Sequence, residues 1–144
     1  MRFAIAAVLL VLSTGAFAAG YQDEIDKFFD LYAQGKQSEA VDSIYSTNPW
    51  VSQAKDQVEN VRTQLLGIAR LVGDYQGHQK IGEQNVGERF THVTYLALYD
   101  RQPVRFEFQF YRPKDKWIVY SFAFDVKFMD EVEAAARQRI AEGG

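Results

Sequence analysis

The stretch from Pro103 to Asp125, PVRFEFQFYRPKDKWIVYSFAFD, limits what this chain can fold into more than any other. Two runs of alternating apolar and polar residues flank the turn-forming Arg112-Pro113-Lys114-Asp115-Lys116, the pattern of a β-hairpin. Side chains alternate between the two faces of a strand, so Val104, Phe106, Phe108 and Phe110 share one face of the first run. Ile118, Tyr120, Phe122 and Phe124 share one face of the second. Set against each other, they make a wall of mostly aromatic rings that the rest of the chain has to cover.

The cover is written upstream as helices. Between Tyr21 and Gln34, Ile25, Phe28, Phe29 and Tyr32 recur at i, i+3, i+4 and i+7, with Asp23, Glu24, Asp26 and Asp30 opposite; Gly35 ends the pattern. A shorter helix over Ser38 to Tyr45 turns Ala40, Val41, Ile44 and Tyr45 to one side. Asn48-Pro49 then reads as a cap followed by Pro at the first helical position. From there Val51, Ala54, Val58, Val61, Leu65 and Ile68 step by three and four, predicting one helix of about 20 residues that Val72-Gly73 stops.

Strands follow. Asp74 to Gln84 carries Tyr75 and Ile81 but is interrupted by Gly77 and Gly82, the mark of a bend or bulge. Asn85 to Glu88 supplies a turn, Phe90 to Tyr99 a firmer strand, and Asp100 to Pro103 the turn into the hairpin. Pairing Leu98 with Val104 and Leu96 with Phe106 places His92, Thr94, Leu96 and Leu98 on the aromatic inner face. It sends Val93, Tyr95, Ala97 and Tyr99 outward, beside Arg105, Glu107, Gln109, Tyr111, Trp117, Val119, Ser121 and Ala123. A helix over Phe128 to Ala141 closes the chain, with Asp130, Glu131 and Glu133 early and Arg137 and Arg139 late, as the helix dipole favours. Helices first, then a meander of about four strands, then a tail helix makes an α+β fold.

Residues 1 to 18 read as a signal peptide: Arg2, an apolar run from Ala4 to Leu12, then the small-x-small Ala16-Phe17-Ala18. The run is shorter than the roughly 20 residues that span a bilayer. The expected address is therefore periplasmic or secreted, with residues 19–144 as a single domain and no membrane span in the mature chain. With 16 basic against 19 acidic residues, and Arg2 lost with the leader, no basic track for nucleic acid remains. Absence of Cys removes disulfides, thiolate nucleophiles and thiolate metal ligands. No cofactor motif is present: Gly82 to Gly87 has the glycine spacing of a phosphate loop, but Glu88 stands where Lys is needed.

Phe28-Phe29-Asp30-Leu31-Tyr32, the Asp100-Arg101-Gln102-Pro103 turn, and Phe110-Tyr111-Arg112-Pro113-Lys114-Asp115-Lys116-Trp117-Ile118 together resemble the nuclear-transport-factor-two-like superfamily, the ketosteroid-isomerase-like α+β cone that also houses polyketide cyclases. The likeness spans nearly the whole mature chain in layout, and its motifs are motifs of fold. It implies a curved antiparallel sheet, an apolar pocket inside the cone, and dimerisation through the outer sheet face. The long third helix and the extra tail helix depart from the pattern and would partly close the mouth. The family's isomerase constellation, a carboxylate base with a Tyr and an acid as donors, does not carry over, because no Asp or Glu falls on the inner face of the last three strands.

Two candidate sites follow. The first is an apolar-ligand pocket inside the cone, with His92, Thr94, Tyr75, Phe108 and Tyr120. The second is a homodimer or partner face on the outside of the sheet, with Tyr95, Tyr99, Arg105, Glu107, Gln109, Tyr111 and Trp117. The expected function is a non-catalytic exported binding module for a small apolar ligand or a protein partner. The alternative is an isomerase- or dehydratase-type enzyme using His92 with Tyr120 or Tyr75, and no metal is expected.

Overall fold

A computed structural model describes residues 20–143, so the stretch 1–18, read as a signal peptide, lies outside the described residues. The helices are α1 (Tyr21–Ala33), α2 (Gln37–Tyr45), α3 (Pro49–Ser52) and α4 (Lys55–Val72). Strands β1 (Tyr75–Val86), β2 (Phe90–Tyr99), β3 (Val104–Tyr111) and β4 (Ile118–Asp125) follow, then α5 (Phe128–Ala141). The strands form one antiparallel sheet in chain order, open at β1 and β4. The fold is α+β, as the order of sequence patterns requires.

Each early helix buries the stripe its spacing marks. Ile25, Phe28, Phe29 and Tyr32 of α1 are buried, as are Ala40, Val41, Ile44 and Tyr45 of α2. The Asp23 carboxylate accepts from the Gly20 N–H, satisfying an open donor at the start of α1. Gly35 takes a φ of +76° just past α1, a left-handed turn that glycine adopts without strain.

The single helix expected from Pro49 until Val72-Gly73 is two helices. Asn48 caps α3 as expected, accepting from the Trp50 N–H at 3.0 Å, but α3 lasts four residues. The chain bends at Gln53-Ala54 before α4. Only Val58, Leu65 and Val72 of α4 are buried. The bend has a role: the Asn48 side chain also donates to the Val119 carbonyl, fixing α3 to the edge of β4.

Two register details decide which residues face the core. In the β2–β3 pair Ala97 lies opposite Val104 and Tyr95 opposite Phe106, one residue from the pairing expected. Since the side-chain period is two, a slip of one exchanges the faces of the whole strand. Val93, Tyr95, Ala97 and Tyr99 are therefore buried inside, and His92, Thr94, Leu96 and Leu98 face out. In the β3–β4 pair a bulge separates Gln109↔Ser121 from Phe110↔Val119, leaving Tyr120 as the extra residue. Val119 takes the buried place and Tyr120 is 64 % exposed. The bends expected in β1 are present, with register shifts beside Gly77 and Gly82.

Inside, the wall is solid. Phe28, Phe106, Phe108 and Phe110 are each 0 % exposed, so no water-sized space borders them from outside or from within. Phe28 meets Phe108 and Phe122 in edge-to-face contacts with centroids 5.3 and 5.1 Å apart, the geometry ring quadrupoles favour.

Candidate functional site

The residues expected to line an interior pocket do not converge. Phe108 is closed core, and Tyr120 stands exposed on the bulge, packed against Phe90. Tyr75 lies on the inner side of β1, opposite Tyr99. His92 and Thr94 are on the other face of the sheet, because of the one-residue register. The hydrogen-bond partners of His92 are Glu107 and Gln109, neither of them a tyrosine. The pairing of His92 with Tyr75 is excluded by the sheet between them.

The outer face keeps part of its expected membership. Arg105, Glu107, Gln109 and Tyr111 lie there; Tyr95 and Tyr99, expected beside them, are core residues at 3 % and 8 % exposure. Trp117 is also displaced inward, edge-on to Tyr21 at 4.9 Å with the Arg112 guanidinium 5.1 Å from its ring centre.

What the outer face does hold is a polar network across β2, β3, β4 and α5. Gln109 offers its amide nitrogen to His92 Nδ1 at 3.0 Å, and an amide nitrogen can only donate. Nε2 therefore carries the proton toward Glu107 Oε1 at 3.2 Å. Arg105 donates through Nε to Asp125 at 2.9 Å and through both terminal nitrogens to Glu131, at 2.6 and 2.9 Å. These bonds, to Glu131 first and Asp125 second, raise the Arg105 pKa above its already high ordinary value and lower that of Glu131. Leu96, Leu98, Tyr111 and Ala123 share this face with the charged groups.

The Arg105–Glu131 pair ties the first turn of α5 to this face. Beyond that turn the helix stands clear, since every residue from Met129 to Gly143 is exposed. Met129, Val132, Ala136 and Ile140 recur by three and four along it, so one side is an uncovered apolar stripe. Isolated helices of this length are marginal in water. Acids in its first turn, Arg139 in its last and a Glu133–Arg137 pair supply only small local support.

At one end of the inner face a second group collects that the sequence reading did not assemble. Tyr32 Oη and Tyr99 Oη are 2.5 Å apart, and the Tyr32 ring meets that of Tyr75 at 5.0 Å. The imidazole of His78 lies flat on Phe29, with centroids 3.8 Å apart and planes 5° from parallel. Burial lowers the His78 pKa, partly opposed by Asp26 and Asp30, which keeps the ring neutral. Tyr75 then donates to His78 Nδ1 at 2.6 Å. Burial also raises the pKa of Tyr32, Tyr75 and Tyr99, so all three phenols stay protonated. The sequence signal was Tyr32 on the apolar stripe of α1; the exchanged face of β2 hid Tyr99.

Among the described residues no group of three or more His, Asp or Glu side chains is arranged to hold a metal ion. No described helix is long and apolar enough to cross a membrane. Comparison with family models, with curated proteins and with solved structures finds no match to this chain.

Proposed function

We propose that the protein is an exported, non-catalytic binding module that works through the outer face of its sheet and its tail helix, as a homodimer. The observation that carries this reading is the stripe Met129, Val132, Ala136 and Ile140, uncovered on a helix pinned to the outer face by Arg105 and Glu131. Met129, Val132 and Ile140 are 50 %, 44 % and 79 % exposed, on a helix that lacks the packing most helices depend on.

A second copy suits this surface. The face carries both signs of charge, Arg105 with Glu107, Asp125 and Glu131, so a two-fold axis can set unlike charges of two copies against each other. Four strands are roughly 19 Å across at about 4.8 Å each. The helix adds a stripe roughly 17 Å long from Met129 to Ile140 at about 1.5 Å per residue. Burying both on a second chain removes area on the order of the ~800 Å² per partner of stable complexes. The helices-then-meander order is also what the superfamily resemblance leads one to expect.

Light scattering on the mature protein at micromolar concentration tests this. A dimeric mass that falls to monomer in Val132→Asp, with the circular dichroism of the domain unchanged, is the expected result. A monomer in the unaltered chain removes the dimer.

A further inference from the structure

The buried phenols at the end of the inner face carry one proton too many. Tyr32 and Tyr99 are 1 % and 8 % exposed. They bring two hydroxyl protons, and the single bond between their oxygens uses one. Among the described residues neither oxygen has another hydrogen-bond partner, and Tyr75 spends its own proton on His78. A buried donor left without an acceptor costs on the order of 1–3 kcal/mol.

The place from which an acceptor could come is open. A cleft of about 290 Å³ between the end of α4, the start of β1 and α2 is lined by Tyr99 and Tyr75, with Gln37, Leu66, Arg70 and Asp74 around it. Arg70 sits in the last turn of α4, exposed. It takes part in none of the ion pairs among the described residues. With Tyr32 donating to Tyr99, the spare proton is that of Tyr99, which shares the cleft with an unengaged guanidinium. The two together favour an oxygen that accepts and carries negative charge. Water could accept from both, but the fixed positive charge of Arg70 on the same rim favours an anion over water.

We propose that this cleft binds a small carboxylate, one oxygen accepting the spare proton from Tyr99 while the charge is met by Arg70. Leu66 and Ala69 give an apolar wall for an alkyl or aryl tail. Asp74 on the same rim disfavours phosphates and other polyanions. The site lies on the helix-covered side of the sheet and does not depend on the outer face.

Titration of the mature protein with acetate and with benzoate, followed by amide NMR, tests this, with acetamide and benzamide as uncharged isosteres. Saturable shifts centred on Gln37, Gly73, Asp74 and Tyr75 are expected with at least one carboxylate. The amides, Arg70→Gln and Tyr99→Phe should each weaken binding about tenfold. Arg70 is exposed, so its variant reads binding even if Tyr99→Phe folds poorly. Shifts that stay linear to about 50 mM for both acids, or amides that bind equally well, overturn the proposal and leave water as the only acceptor.

Discussion

The side-chain amide of Asn48 donates to the backbone carbonyl of Val119 at 2.7 Å. The Val119 N–H in turn donates to Thr47 Oγ1 at 2.9 Å, so both backbone groups of this edge residue are taken by the α2–α3 connection. An edge strand with free groups is a template for unwanted pairing, and this clamp blocks β4 at the place where its bulge begins.

Asn48→Ala removes two things together: the cap of α3, and the bond to Val119, whose buried carbonyl is left unsatisfied. A loss of about 2–3 kcal/mol is expected in urea unfolding. Asn48→Asp keeps the cap and cannot donate to the carbonyl, so it should recover only the cap's share, about 1 kcal/mol. Equal stability of both variants and the unaltered chain would remove the clamp.

Phe108→Ala is the severe core variant. Its ring is fully buried between Phe28, Phe122 and Tyr95, so truncation opens a cavity that rigid neighbours cannot fill. A cost of about 3–5 kcal/mol is expected. The outward Thr94→Ala, on the adjoining strand, should change stability by less than about 0.5 kcal/mol, because its side chain lies on the opposite face. A large cost for Thr94→Ala would restore the sequence-expected facing of β2.

Those faces show where sequence reading succeeds and where it stops. Phe106, Phe108 and Phe110 were legible because large rings alternating with Arg105, Glu107 and Gln109 permit only one inside. In β2 the run Val93-Thr94-Tyr95-Leu96-Ala97-Leu98-Tyr99 puts apolar residues on both sides, so period two names two faces without saying which is inner. The turn length decides, and Ala97↔Val104 rather than Leu98↔Val104 depends on backbone geometry that Asp100-Arg101-Gln102-Pro103 does not spell out. The candidate sites inherited the error: His92 and Thr94 moved out, Tyr95 and Tyr99 in. Tyr120 shifted for a different reason, since a bulge adds a residue without changing the alternation of the sequence around it. Arg105, Glu107, Gln109 and Tyr111 stayed on the outer face because β3 was read correctly.

Alkaline titration of the tyrosines reports on the inner cluster. Of eight tyrosines, Tyr21, Tyr32, Tyr45, Tyr75 and Tyr99 have pKa values raised above the ordinary 10.0, chiefly by burial. Their neutral forms are favoured in the folded state, so the stability they contribute is complete below pH 10, the unfolded value, and is lost as pH rises from there through the higher folded-state values. Phenolate absorbance should therefore appear in two stages, the larger one coincident with loss of the folded circular dichroism. A single smooth titration with the fold intact would mean that these phenols are not buried.

His78 makes the acid side testable by itself. Its pKa is lowered in the folded protein, by burial against Phe29 and Tyr75, with Asp26 and Asp30 pulling the other way. The unfolded chain therefore binds the proton more readily, and stability should fall as pH drops through about 6.5, then level off below the folded-state value. Tyr75 loses its acceptor in the same step, because a protonated imidazole has no lone pair at Nδ1. His78→Phe keeps the stack on Phe29 and removes the titrating group, so its unfolding free energy should be flatter than that of the unaltered chain from about pH 7.5 to about pH 5. Both proteins share every carboxylate, and the difference between the two curves isolates the histidine. Parallel curves would mean that His78 titrates alike in the folded and unfolded chain, and that its contact with Tyr75 carries no free energy across this range.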